Sequence, residues 1–141
     1  MGSEIDIRTY STDDEDSVIA LWLEVFPGDT AWNKSADVIA RKLNVQPELF
    51  YIALSSDKVV GSVIAGYDGV RGWIHRLAVH PSYRRQGLAT QLMHRAEIGL
   101  KEIGCPKINL QVRASNMEVV KFYASLGFSV EERASLGKPL I

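Results

Sequence analysis

One cysteine, Cys105, stands in 141 residues, so no internal disulfide can form and no cysteine-based metal cluster can assemble. An excess of charge of either sign is also missing. Sixteen Lys+Arg against seventeen Asp+Glu leave a net −1 at pH 7, whereas a dedicated nucleic-acid binder carries a basic excess. No apolar run approaches the ~18 residues of a membrane span. The opening MGSEIDIRTYSTDDED is acidic where a signal or transit peptide would be basic or strongly apolar. Repeats, low-complexity stretches and Pro/Gly/Ser-rich linkers are missing as well. What remains is 46% apolar and 23% charged, a folding composition. The length suits one domain over residues 1–141. The expected setting is a reducing cytoplasm, with no membrane, nucleic-acid or metal partner; a homodimer is compatible with it.

Hydrophobic period divides the chain. Glu4–Tyr10 alternates Ile5 and Ile7 with polar neighbours, as a half-buried strand does. Thr12 with Glu15 three residues on predicts a capping box. Asp13, Asp14 and Asp16 suit the positive end of a helix, and Val18, Leu21, Trp22 and Val25 follow at helical spacing. Pro27-Gly28-Asp29 closes that helix. Ser35 caps a second, with Ile39 and Leu43 on one face and Pro47 as its stop. Phe50–Leu54, Val59–Tyr67 and Gly72–Val79 read as three strands of an antiparallel meander. From Ala89 to Ile103 the period is that of a long amphipathic helix, ended by Gly104. Ile108–Val112 reads as a strand, and Asn116 caps a helix bearing Val119, Phe122, Tyr123 and Leu126, which Gly127 ends. Phe128–Glu132 and Leu136–Ile141 are predicted as last strands. Met1–Ser3 is expected to be untethered. The fold class is α+β: one mixed, mostly antiparallel sheet of about six or seven strands flanked by about four helices.

The informative stretch is Leu77-Ala78-Val79-His80-Pro81-Ser82-Tyr83-Arg84-Arg85-Gln86-Gly87-Leu88-Ala89-Thr90. A strand ends, a loop carries two arginines and a glycine, and a long helix begins. The first N–H groups of a helix have no internal partners and point one way, and the dipole adds partial positive charge. Gly87 leaves the approach clear of a Cβ. The anion this implies is a pyrophosphate. The alternative is a solvated turn with incidental arginines. The loop lacks the Gly-Lys-Ser/Thr of a Walker site and is not G-x-G-x-x-G.

Arg84-Arg85-Gln86-Gly87-Leu88-Ala89 resembles the Arg/Gln-x-x-Gly-x-Gly/Ala signature of the GNAT superfamily of N-acetyltransferases, and Leu77-Ala78-Val79-His80-Pro81 resembles the strand those proteins place before it. Asn116, Phe122-Tyr123 and Leu126-Gly127-Phe128 are similar to the superfamily's N…FY…LGF segment. The element order matches the GNAT fold over nearly the whole chain. Gly66-Tyr67-Asp68-Gly69 with the ending Ser135–Ile141 looks like the small bacterial YpeA-type acetyltransferases.

The resemblance implies acetyl-CoA as co-substrate. By it, backbone groups of Arg85, Gln86, Gly87, Leu88, Ala89 and Thr90, with Arg84, hold the pyrophosphate. The arm lies where Leu77, Ala78 and Val79 splay from Ile108–Val112, and Asn116 hydrogen-bonds it. Tyr123 is then the general acid: a phenol of pKa ~10 beside a departing thiolate of pKa ~8.5 can supply a proton or a hydrogen bond. Tyr123 also reads as a core residue with Val119 and Leu126.

The acceptor must arrive as free amine, and deprotonating an alkylammonium at neutral pH costs roughly 4 kcal/mol. RimI-type relatives place a glutamate in the strand where this chain has Gln111, which cannot accept a proton. His75 is the alternative base. Arylalkylamine N-acetyltransferases carry a histidine at the matching place, and period-two alternation puts His75 on the face of Val79. His80 reads as structural or solvent-facing, His94 as surface, and Cys105 as a small hydrophobe rather than a nucleophile, so transfer is expected to be direct. Glu24, Phe26, Asp29 and Trp32 gather acids and aromatics suited to a cationic amine. The expected function is acetyl transfer to a primary amine of a small molecule or a peptide. A catalytically silent acyl-CoA sensor is the alternative, and an RNA module using Arg84 and Arg85 is disfavoured by the near-neutral charge.

Overall fold

The computed structural model describes residues 4–28 and 30–141; Met1–Ser3 and Asp29 lie outside the described residues. Two compact units divide the chain, residues 1–109 and residues 110–141.

In the first unit β1 (Ile5–Thr9) leads through a 3-10 turn at Thr12–Asp14 into α1 (Glu15–Val25), followed by α2 (Ser35–Lys42). Then come a turn at Pro47–Leu49 and the strands β2 (Phe50–Ser55), β3 (Lys58–Tyr67) and β4 (Gly72–Val79). A turn at Pro81–Tyr83 precedes α3 (Leu88–Glu102), and β5 (Ile108–Asn109) closes the unit. The sheet runs β1-β2-β3-β4-β5, antiparallel except for the parallel β4–β5 pair.

Every residue of β2 is buried, because helices cover both faces of the sheet. On one face Val18, Leu21 and Trp22 of α1 and Ile39 of α2 pack with Ile52, Leu54, Val59, Ile64 and Ala78. On the other, α3 buries Leu88, Leu92, Met93, Ala96 and Leu100. The glycine at position 61 belongs to that second face: a Cβ there would lie 3.0 Å from Leu92. Each such fully buried aliphatic side chain contributes about 1.5–3 kcal/mol relative to exposure, so the central strands hold the positions from which the site is built.

α1 starts later than the sequence suggests, at Glu15 with Asp14 as its cap, behind a 3-10 turn. Ser11, not Thr12, caps that turn, and its N–H donates to the Asp14 carboxylate at 2.8 Å. The same carboxylate takes two hydrogen bonds from Arg8, at 2.8 and 2.9 Å, which hold it below the ordinary aspartate range. Thr12 instead opens the 3-10 turn, and the acidic run expected in the first helical turn is divided between that turn (Asp13, Asp14) and the start of α1 (Glu15, Asp16). At the second helix Lys34 is the cap and Ser35 the first helical residue.

In the second unit α4 (Met117–Ser125) is capped by Asn116, whose side-chain oxygen accepts from the Val119 N–H at 3.4 Å. Gly127 ends it with φ +96°. Tyr123 is buried, edge-on to Phe122 and to Phe128, with ring centroids at 5.1 and 5.6 Å.

The sheet has five strands among the described residues, not six or seven. Phe128–Glu132 and Leu136–Ile141 are not strands, and Val130, Leu136 and Leu140 are more than 80% exposed. The strand expected over Ile108–Val112 stops at Asn109. A strand needs a neighbouring ladder. The β5 ladder holds only two pairs, and among residues 110–141 there is no other strand to pair with.

Candidate functional site

The loop between β4 and α3 is fixed at its base before it turns outward. His80 caps the Pro81–Tyr83 turn: its Nδ1 accepts from the Ser82 N–H at 3.1 Å, and its Nε2 faces the Glu24 carboxylate of α1 at 3.2 Å. His80 is therefore structural. The Tyr83 hydroxyl lies 3.1 Å from that of Ser55 at the end of β2. Arg84 donates from Nε to the Val79 carbonyl at 3.2 Å.

Beyond that base two residues take left-handed backbone conformations, Arg85 at φ +64° and Gly87 at φ +76°. The first helical bond of α3 runs from the Gln91 N–H to the Gly87 carbonyl at 3.1 Å. The N–H groups of Leu88, Ala89 and Thr90 thus precede the first intrahelical bond. The first turn carries no carboxylate to satisfy them. Arg84, Arg85, Gln86 and Gly87 are exposed, and a Cβ at Gly87 would meet nothing within 4 Å. The donors, the two arginines and the open space above Gly87 suit an anion such as a diphosphate in charge.

Next to this loop β4 loses its neighbour. The β4–β5 ladder ends at Trp73↔Asn109, and from Ile74 to Val79 the β5 side of β4 carries no further strand pair. Leu77 and Val79 are half-buried, whereas the Ala78 methyl belongs to the α1–α2 core. Any contact Ala78 makes with a ligand must come from its backbone.

The expectation that His75 and Val79 share a face is corrected by the register. Val79 pairs with Gly61, Ala78 with Ser62, and His75 with Ile64. From Gly61 to Ile64 is three steps on β3, while β4 spans four. The extra residue is Arg76, at φ +52°. This β-bulge cancels the alternation. His75 lies with Ile64 on the α1–α2 face, and Val79 lies with Gly61 on the α3 face. His75 keeps solvent access. Burial by its surroundings nonetheless lowers its pKa, and the charges of Lys42 and Arg76 lower it further. At neutral pH the imidazole is a proton acceptor.

Of the two aromatics expected to receive a cationic amine, Phe26 already faces a cation of this chain, which it shares with Trp22. The Arg76 guanidinium lies 4.8 Å from the Trp22 ring and 5.3 Å from that of Phe26, and donates to the Asn33 carbonyl at 2.7 Å. Glu24 is paired with His80, Trp32 is 43% exposed, and Asp29 lies outside the described residues. Sequence reasoning missed Lys42, whose ammonium donates to the Ala65 carbonyl and is pushed down to about 8 by burial. Its spacing from Val38 and Ile39 on α2 was the available signal. Nothing in the sequence marks Arg76.

In the second unit Asn116 and Tyr123 lie two turns apart on α4, on one side of the helix. The Asn116 oxygen is engaged in the cap, which leaves its NH₂ group to donate elsewhere. Burial pushes the Tyr123 phenol up to about 12. Gln111 is hydrogen-bonded to Ser135. In the first unit Cys105 is half-buried against the Lys107 carbonyl, and His94 is exposed.

Comparison with known proteins identifies the family and the fold. The acetyltransferase (GNAT) family matches residues 12–128. An "Acetyltransferase" of Yersinia pestis is 43% identical over 137 residues, 97% of this chain and 96% of that protein. An acetyltransferase of Sodalis glossinidius is 44% identical over 138 residues, 97% of this chain and 96% of its own length. Among solved structures, Ard1 from Thermoplasma volcanium superposes with a TM-score of 0.80 at 25% identity, over 90% of this chain and 84% of that one. The aminoglycoside N-acetyltransferase AAC(6')-Iy, solved with CoA, superposes with a TM-score of 0.80 at 21% identity, over 100% and 98%.

Proposed function

The chain belongs to the acetyltransferase (GNAT) family, and on that premise we propose that residues 1–141 work as one cytoplasmic N-acetyltransferase domain that moves the acetyl group of acetyl-CoA directly to a primary amine of a small molecule or a peptide. The observation that carries this is the start of α3, where outward N–H groups, two arginines and an open left-handed glycine meet without a protein carboxylate. The fold neighbours crystallised with CoA support the choice of ligand.

Acetyl-CoA supplies the activated acyl thioester. Arg84, Arg85, Gln86, Gly87, Leu88, Ala89 and Thr90 hold its pyrophosphate by backbone donors and charge. Backbone groups of Leu77, Ala78 and Val79, with the Asn116 amide, align the arm. His75, neutral at pH 7, takes the proton of an amine arriving on the α1–α2 face. A base on the face opposite Val79 suits an acceptor that approaches from the side away from the arm.

Tyr123 meets the departing sulfur. A phenol near 12 is a weaker acid than a thiol near 8.5, so full proton transfer between them is uphill by about 5 kcal/mol. The phenol therefore stabilises the leaving sulfur by donating a hydrogen bond and stays protonated.

The test is an acceptor screen with detection of free CoA, using polyamines, amino acids, aminoglycosides and short peptides. Turnover with one of them is expected. Tyr123→Phe should then lower kcat by about 10²-fold, through loss of the hydrogen bond to the leaving sulfur, with acetyl-CoA affinity unchanged. Tight acetyl-CoA binding with no turnover of any acceptor would identify a sensor, and wild-type kcat in the mutant would return Tyr123 to the core.

A further inference from the structure

The bulge in β4 is held by a small closed network. Arg76 is a non-glycine residue at φ +52° in the middle of a strand. Such a conformation persists only where its surroundings over-determine it, and it clusters at functional sites. Here the surroundings are explicit. The hydroxyl of Ser62, fully buried on β3, donates to the Arg76 carbonyl at 2.8 Å. The same hydroxyl accepts from the indole N–H of Trp22, fully buried on α1, also at 2.8 Å. The Trp22 ring then faces the Arg76 guanidinium at 4.8 Å, and that guanidinium reaches the Asn33 carbonyl in the segment between α1 and α2. One tryptophan thus meets Arg76 twice, through its ring and, by way of Ser62, through its N–H.

Ser62 is conspicuous in its own strand. Val59, Val60, Val63 and Ile64 surround it in sequence, all buried. A β-branched apolar residue would suit a regular ladder better, since a buried hydroxyl has to find its partners. Both of its partners here belong to the bulge or to what supports it. A ladder without the bulge would turn Leu77, Ala78 and Val79 over, each to the opposite face.

We infer that Ser62, braced by the indole N–H of Trp22, is a positioning residue for acyl transfer, locking the β4 bulge so that the Leu77–Val79 backbone presents one fixed set of donors and acceptors to the thioester arm. This rests on the acetyl-transfer function proposed above. The pyrophosphate loop starts at Arg84 and does not touch Ser62, so the network governs alignment of the reacting end rather than capture of the cofactor. Misplacement of a reacting group by about 1 Å can cost 10²-fold in rate.

The experiment uses the full chain and Ser62→Ala, which removes the hydroxyl and adds no volume. In the folded variant kcat is expected to fall between about 10- and 10²-fold, with the acetyl-CoA Kd within about threefold of wild type. The backbone amide resonances of Arg76 to Val79 should shift without ligand. Ser62→Thr, which restores the hydroxyl, should recover most of the rate. Trp22→Phe keeps an aromatic ring in the site and loses the N–H together with one of the two fused rings, so its urea midpoint is measured alongside to separate the cavity from the lost hydrogen bond. This variant should reproduce the kinetic pattern, and the double variant should be little worse than either single one. Trp22→Phe decides the matter by the same readouts if Ser62→Ala fails to fold.

Wild-type kcat in the folded variants, or unmoved amide resonances, would overturn the inference. So would an acetyl-CoA affinity that falls in step with kcat. If the wild type turns over no acceptor, acetyl transfer itself is refuted, and the amide resonances still decide whether Ser62 holds the bulge.

Discussion

An imidazole serves as a base only above its own pKa, and the surroundings of His75 act on that threshold. Burial first, then Lys42 and Arg76, move it below the ordinary histidine value. The sign follows: at pH 7 the group is ready to accept, and acid below its lowered pKa disables it. For the wild type, kcat/KM for the amine should therefore fall on an acid limb lying below about 6.5. His75→Gln should lose that limb and show a defect at pH 7 that shrinks as pH rises and free amine becomes abundant. A pH–rate series on one acceptor checks both. A defect equal at every pH would make His75 positional. The sequence singled out His75 as a candidate through its spacing from Leu77-Ala78-Val79-His80, but its facing was not legible. Alternation is a rule of regular ladders, and the residue that breaks it here is an arginine, a type with no preference for left-handed backbone.

Elements were legible in proportion to how much of their hydrogen bonding is local or sequential. The meander β2–β3–β4 matches its predicted limits to within a residue, because its turns join neighbours in sequence. The last two predicted strands did not form, because β-pattern describes side chains and not the partner a ladder requires. For α3, period gave the buried face, and one contact shows how tightly that face is set. Gly99 lies against β2, and a Cβ there would collide with the Tyr51 hydroxyl and come 2.9 Å from Leu49 Cδ2. Tyr51 is buried and its ring is faced by Arg95 at 5.5 Å, so moving its hydroxyl aside disturbs both its packing and that contact. Gly99→Ala, which would raise helix propensity on a free surface, should instead destabilise by about 1–3 kcal/mol through overpacking. Adding Tyr51→Phe should restore a substantial part of that loss. Urea midpoints for the two single variants and the double variant decide it; a stabilised Gly99→Ala would mean that α3 can draw back from β2.

For the molecule as a whole, a net charge of −1 gives no long-range attraction for a polyanion. Whatever captures the cofactor must act within a Debye length, about 8 Å at physiological salt. The proposed site at the start of α3 meets that condition, since its arginines are exposed and face no acid in the first helical turn. Binding to the native state alone raises stability by RT ln(1 + [L]/Kd), about 2.7 kcal/mol at a hundredfold excess over Kd. Acetyl-CoA should therefore raise the melting temperature of the wild type. Two substitutions at Gly87 separate backbone strain from charge, since a Cβ there meets nothing within 4 Å while φ is +76°. Gly87→Ala introduces strain of about 1 kcal/mol without obstructing the loop. It should lower the melting temperature of the protein alone and keep most of the shift with acetyl-CoA. Gly87→Glu carries the same backbone strain and adds a carboxylate beside the expected pyrophosphate, and it should abolish the shift. A ligand-induced shift of wild-type size in Gly87→Glu would move the anion site away from this helix start.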